Sequence, residues 1–152
     1  MSSPHWTTSA GTFNIRGNDI EFFPLVLSYA VITMDKVDLY INEAKLNSEI
    51  KADLEKDGVV LHPYNDIYED IKKTASDEVL LIDPARLNYA LYNNIPEGVA
   101  KVEERNPEIL FKAIKNEVEI ENIRKAQIKD SVAHVKFMKW LKENVGKMTI
   151  TE

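Results

Sequence analysis

Apolar and polar positions along the chain change rhythm several times, and each change marks an element. Phe13 and Ile15 alternate with polar residues before a turn at Arg16-Gly17-Asn18-Asp19. Leu25 to Met34 is a nearly continuous apolar run, which predicts a central strand. Val37, Leu39 and Ile41 alternate with Asp38 and Tyr40, the pattern of a half-buried strand. The short Asp35-Lys36 link makes these two runs a hairpin. Ala44–Lys56 is helical, with Leu46, Ile50 and Leu54 on one face and Gly58 as the stop. Val59-Val60-Leu61 is a short strand. Asp66–Ala75 is helical, with Asp66 and Glu69 spaced as a capping box. Val79-Leu80-Leu81-Ile82 is a buried strand, and Leu27, Val31, Leu80 and Ile82 are expected on central strands. Asp83 caps a helix that starts at Pro84 and carries Leu87, Ala90 and Leu91 to about Asn94. Val99–Val102 is an edge strand. Strands separated by helices imply crossover units and a partly parallel sheet.

Asn106-Pro107 opens a short helix, Pro107–Ile114. Asn116 then caps a long one, Glu117 to about Val145, with Glu119 completing a capping box and Gly146 as the stop. Glutamates crowd its first turns and lysines its last, which suits the helix dipole. Its apolar residues fall on three lines, among them Ile120–Ile123–Met138, Ala133–Phe137–Trp140 and Ile128–Val132–Val135. A helix apolar on several sides is normally buried on several sides. The closing Thr149-Ile150-Thr151-Glu152 has the spacing of a capping box with no helix after it. Together these features lead us to expect a truncated chain.

The fold class expected is therefore α/β: a mixed β-sheet flanked by helices, followed by a long C-terminal helix. Three segments are expected: a flexible lead-in over 1–11, foreign at most in part, an α/β domain over 12–105, and the helices of 106–152. Charge agrees with that boundary. The 152 residues carry a net charge of −6. Residues 1–105 hold 10 basic and 18 acidic side chains (net −8), and residues 106–152 hold 9 basic and 7 acidic (net +2). The larger part repels nucleic acid, so no nucleic-acid partner is expected. No run of about 18 apolar residues occurs, so no membrane span is expected. There is no basic-then-apolar leader at Met1-Ser2-Ser3-Pro4-His5. A cytoplasmic location is the default. With no cysteine, disulfides, thiolate metal sites and cysteine nucleophiles are excluded.

Candidate chemistry is sparse. Arg16–Asp19 could bind an anion, but a loop leaving a strand is the plainer reading. Asp83-Pro84-x-Arg86 reads as a helix cap. His62-Pro63 stands at a strand end with no Ser, Asp or Glu at a supporting spacing. Gln127, Ser131 and His134 lie in line and read as a polar seam packed against another element. Glu117, Glu119 and Glu121 read as a solvated helix start. Neither a metal-binding spacing nor a phosphate-binding glycine loop is present. No catalytic, metal-binding or cofactor-binding residue is assigned.

Several stretches carry a resemblance. Phe13-Asn14-Ile15-Arg16-Gly17-Asn18-Asp19-Ile20, Pro24–Ala30 and Asp83-Pro84 with Asn88–Tyr92 resemble the middle domain of three-domain aminopeptidase P enzymes. Leu110–Glu121, continuing through Arg124-Lys125-Ala126, Lys129-Asp130 and Val132-Ala133-His134 to Phe137-Met138 and Trp140-Leu141, resembles the junction into the catalytic "pita-bread" domain and its first long helix. The likeness covers about residues 12–152. It implies a creatinase N-terminal-domain-like fold over 12–105 and the first helices of a truncated catalytic domain over 106–152. It also implies a parent Xaa-Pro aminopeptidase, a metallopeptidase removing the N-terminal residue that precedes proline. Two divalent ions, commonly manganese, would sit on two Asp, one His and two Glu beyond these helices. No position here matches those ligands, so the chain alone is expected to be inactive. The implied partners are a peptide with proline second and the rest of the catalytic domain; the uncovered apolar faces of the long helix add a second copy, in a homodimer. A stand-alone interaction module, or a piece of prolidase or another creatinase-like relative, are the other readings. Ser9-Ala10-Gly11 replaces the family's usual apolar run before the Asn-Ile-Arg-Gly stretch, so the first strand is expected to be altered.

Overall fold

The computed structural model describes residues 2, 3 and 11–151. The chain divides into two compact units, 1–112 and 113–152.

In the first unit, β1 (Ser2–Ser3), β2 (Ser28–Ile32), β3 (Val37–Ile41) and β4 (Val59–Pro63) form one sheet in that spatial order. β1–β2 and β2–β3 are antiparallel, and β3–β4 is parallel. β5 (Val79–Ile82) and β6 (Ala100–Glu103) form a separate parallel pair. The lead-in is thus not without structure throughout, because Ser2–Ser3 pairs with Ala30–Val31. The rest of it, up to residue 10, lies outside the described residues.

The hairpin forms as its pattern predicts, with Ile32 opposite Val37. Thr33 closes it: its N–H donates to the Lys36 carbonyl at 2.9 Å, and its hydroxyl accepts from the Lys36 N–H at 3.1 Å. The strand is shorter than the apolar run, because Pro24 to Leu27 approach it irregularly and Met34 stands in the turn. Leu27 is half-buried outside β2, and its amide is taken by Asp19. Phe13–Ile15 form no strand; Asn14 turns to φ +52°.

The crossover from β3 to β4 begins with a 3₁₀ turn, Glu43–Lys45, capped by Asn42. Helix α1 (Ser48–Lys56) follows, capped by the Asn47 side chain on the Ile50 amide at 2.8 Å. The helix expected from Ala44 is split there, because an Asn side chain that accepts at N3 starts a new helix. Gly58 ends it at φ +81°, a backbone conformation that favours glycine. After β4, the expected helix 66–75 is only α2 (Ile67–Asp70) between two 3₁₀ turns. Asp66 makes no cap bond, since its own backbone is already helical. Asp83 likewise caps a turn rather than a helix, accepting from the Ala85 amide at 3.2 Å. Helix α3 (Tyr89–Asn94) is capped by Asn88, and Ala90 on it is exposed.

Two apolar cores lie on the two faces of the sheet. Alternation along β3 sends Leu39 and Ile41 one way, with Ile15, Val26, Leu54 and Val59. It sends Tyr40 the other way, with Tyr29, Ile67, Leu80, Ile82 and Leu91. β3 is therefore buried on both faces, not half-buried; even Asp38 is only 3% exposed. Leu80 and Ile82 are buried as expected, but on the separate β5–β6 pair. Apolar runs identify buried strands without naming their neighbours.

Gly17 abuts the core of Leu39, Ile41 and Val26. A Cβ there would stand 2.5 Å from Val26 Cγ2 and 3.3 Å from the Leu25 carbonyl. Gly17→Ala is expected to destabilise by about 1–3 kcal/mol, as overpacking does. In a double-mutant cycle with Val26→Ala, the two losses should sum to more than the double variant shows. Strict additivity would mean the close approach is not what the glycine serves.

The second unit contains helix α5 (Glu117–Asn144); α4 (Glu108–Ala113) precedes it and ends at the boundary of the two units. The capping box forms as predicted: Asn116 Oδ1 accepts from the Glu119 amide, and Glu119 Oε2 accepts from the Asn116 amide, both at 2.9 Å. Gly146 follows the helix at φ +79°.

Candidate functional site

The densest group of chemistry-bearing side chains lies where β3 meets β4. The parallel register sets Asp38 opposite Val60 and Tyr40 opposite His62. Residues two apart on a strand share a face, so Asp38 and Tyr40 stand side by side with His62 across from them. His62 Nε2 lies 2.7 Å from Asp38 Oδ1, and Lys36 Nζ lies 2.9 Å from Asp38 Oδ2. The His62 and Tyr40 rings stack at 4.8 Å. The Tyr40 hydroxyl donates to Asp70 Oδ2 at 3.2 Å, and Asp70 Oδ1 pairs with Lys73 at 2.7 Å. Burial, reinforced by the Asp70 and Asp38 charges, pushes the Tyr40 hydroxyl far above its usual range, so it remains a donor. The Lys73 ammonium, opposed by burial, holds Asp70 below the usual carboxylate range.

This arrangement corrects one expectation. A carboxylate does support His62, but it stands 24 residues away, and only strand register reveals it. Asp–His contact orients a base in many hydrolases, yet the neighbouring hydroxyl, on Tyr40, is turned to Asp70. The geometry pins strand register and gives a buried carboxylate an ammonium partner in Lys36 and a ring-nitrogen contact in His62.

A second polar group had no sequence signal. The Tyr29 and Tyr68 hydroxyls lie 3.3 Å apart, and Asn88 Nδ2 donates to Tyr68 at 3.2 Å. The Tyr68 hydroxyl is pushed up to about 12 by the Tyr29 hydroxyl and by burial.

The other candidates serve local structure. Asp19 accepts from the Leu27 amide at 2.7 Å and pairs with Lys45 at 2.6 Å, while Arg16 Nη1 donates to its neighbour's carbonyl, that of Ile15. Asp83 Oδ2 accepts from the Asn106 amide at 3.2 Å, with Arg86 Nε 3.8 Å away. Glu121 pairs with Lys125 along α5. Gln127, Ser131 and His134 are exposed rather than seated in a buried seam. Gln127 and Ser131 line an open groove on α5 with Ile128, Val132 and Val135, to which His134 does not contribute.

Burial pushes Asp19 up, but the hydrogen bonds from Lys45 and the Leu27 amide outweigh it and hold the carboxyl below its usual value. A depressed folded-state pKa stabilises fully above the unfolded value of about 3.9 and is lost as pH falls through the folded value. Denaturant melts from pH 7 to pH 2 should therefore show wild type losing its advantage over Asp19→Asn only below about pH 4. A constant gap across that window would remove Asp19 from the acid limb.

Among the described residues, no group of three or more His, Cys, Asp and Glu could hold a metal ion. No helix there is long and apolar enough to cross a membrane.

Comparison with known proteins places these features. The Creatinase/Prolidase N-terminal domain profile matches residues 8–119. Xaa-Pro aminopeptidase 1 of Dictyostelium discoideum is 38% identical over 138 residues, 90% of this chain and 21% of that protein. The probable Xaa-Pro aminopeptidase P of Paracoccidioides brasiliensis (strain Pb03) is 42% identical, covering 93% of this chain and 25% of its own. The crystal structure of X-prolyl aminopeptidase from Caenorhabditis elegans, described as a cytosolic enzyme with a di-nuclear active site, superposes with a TM-score of 0.79 at 31% identity. It covers 91% of this chain, which spans 23% of it. The chain thus spans a quarter or less of these relatives' length. The described residues do not fit a metal pair. By sequence and by fold, the chain belongs to the creatinase/prolidase N-terminal domain family.

Proposed function

We propose that this chain is the non-catalytic scaffold part of an Xaa-Pro aminopeptidase, acting in the cytoplasm. Residues 12–105 serve as its middle domain and 106–152 as the first helices of its catalytic domain. The observation that carries this reading is an overlap of boundaries. The family profile ends at residue 119, whereas likeness to the aminopeptidases covers 90% or more of the chain. The parent would bind a peptide with proline second. A pair of divalent ions, manganese in this reading, would activate water and stabilise the developing oxyanion from residues outside this chain. Here the chain's own part is to supply a folded domain ahead of α5, whose first turn is fixed by its own capping box. Reading the frame beyond Glu152 tests this. Two Asp, one His and two Glu downstream, joined to activity on Xaa-Pro peptides, support it. A stop codon directly after Glu152 supports an independent interaction module instead.

A further inference from the structure

We propose that the outer edge of β4 binds an extended, basic peptide segment by strand addition; this does not depend on the peptidase reading. β4 is the last strand of its sheet and pairs only with β3. Among the described residues no backbone group bonds to its other side. Exposed edges are normally protected by charged residues, bulges or very short strands. β4 runs Val59-Val60-Leu61-His62-Pro63, with no lysine or acidic residue, and Val60 on it is 46% exposed. Only Pro63, which lacks an N–H, closes one end.

Residues 58–61 line a groove of about 530 Å³ together with Glu43, Lys51 and Glu55. A strand edge facing a helix is the arrangement in which an added strand gains main-chain hydrogen bonds from the edge and side-chain selectivity from the helix. The helical wall chooses the charge. Lys51 is paired with Glu43 at 2.8 Å, whereas Glu55 has no ion pair among the described residues. That leaves one uncompensated carboxylate, which selects Lys or Arg on the incoming strand. A second copy of this chain is disfavoured as the occupant, because its β4 carries no lysine or arginine to meet Glu55 and would bring a second Glu55 on the adjoining helix.

The probe is a capped heptapeptide of alternating valine and lysine, titrated into the whole chain and followed by amide NMR shifts and hydrogen exchange. We expect the amides of residues 59–62 to shift and to gain at least tenfold protection. Glu55→Lys and Val60→Lys should each weaken binding about tenfold or more, with circular dichroism and melting unchanged. The proposal is overturned if the shifts map elsewhere, if a valine–glutamate peptide binds equally, or if Glu55→Lys leaves affinity intact. Pairing of β4 with a second copy in the absence of peptide also overturns it.

Discussion

Leu39→Ala is expected to destabilise the chain by about 2–5 kcal/mol, the range for a leucine removed from a closed core. Leu39 is 0% exposed and sits mid-way along β3, in one core with Ile15, Val26, Leu54 and Val59. Strands on both sides of β3 leave its neighbours little freedom to collapse into the hole. Met34, in the hairpin turn and 98% exposed, is the matched control. Met34→Ala should change stability by no more than about 0.5 kcal/mol. Chemical denaturation of the two variants checks both. If Leu39→Ala costs less than about 1 kcal/mol, β3 is not the strand on which the two cores meet.

The second large effect concerns α5. Val118, Ile128, Val132, Val135, Phe137 and Trp140 are exposed, and they point around most of the helix. Each fully exposed large apolar side chain forgoes roughly 1.5–3 kcal/mol of burial. These six are 40–69% exposed, so four of them forgo about half as much each, roughly 3–6 kcal/mol in all, a large share of a domain's net stability. The expected result is self-association through α5, two-fold because closed dimers are the commonest solution. Sedimentation velocity at high micromolar concentration should show a dimer. Phe137→Glu with Val135→Glu should return it to monomer without loss of helix signal. A wild-type monomer with intact helicity would remove uncovered faces as a driving force. In the proposed parent, the remainder of the catalytic domain takes the place of the second copy.

What was legible in the sequence follows from how local each signal is. The hairpin, the Asn116/Glu119 box and the stops at Gly58 and Gly146 each depend on residues within one turn, and all appear where the pattern places them. Asp66 with Glu69 has the same spacing but fails as a cap, because a 3₁₀ turn already leads into that segment. The Asp38–His62 contact was illegible, since it depends on which strands pair and in what register. Asp38 alternates with apolar neighbours, which ordinarily marks a solvent face; here a second core covers that face, Lys36 supplies the counter-charge and His62 a polar contact. The tyrosine cluster of Tyr29 and Tyr68 brings together residues 39 apart, again beyond any periodic signal. The family resemblance reached what periodicity could not, because it draws on the order of whole segments.

The most direct test of a scaffold without chemistry uses the chain as it stands. Titrate it calorimetrically with manganese, then incubate it with manganese and an Xaa-Pro peptide and measure the released N-terminal residue. The predicted result is no stoichiometric metal binding and no turnover above the metal-only background. Stoichiometric manganese accompanied by release of the residue before proline would contradict it.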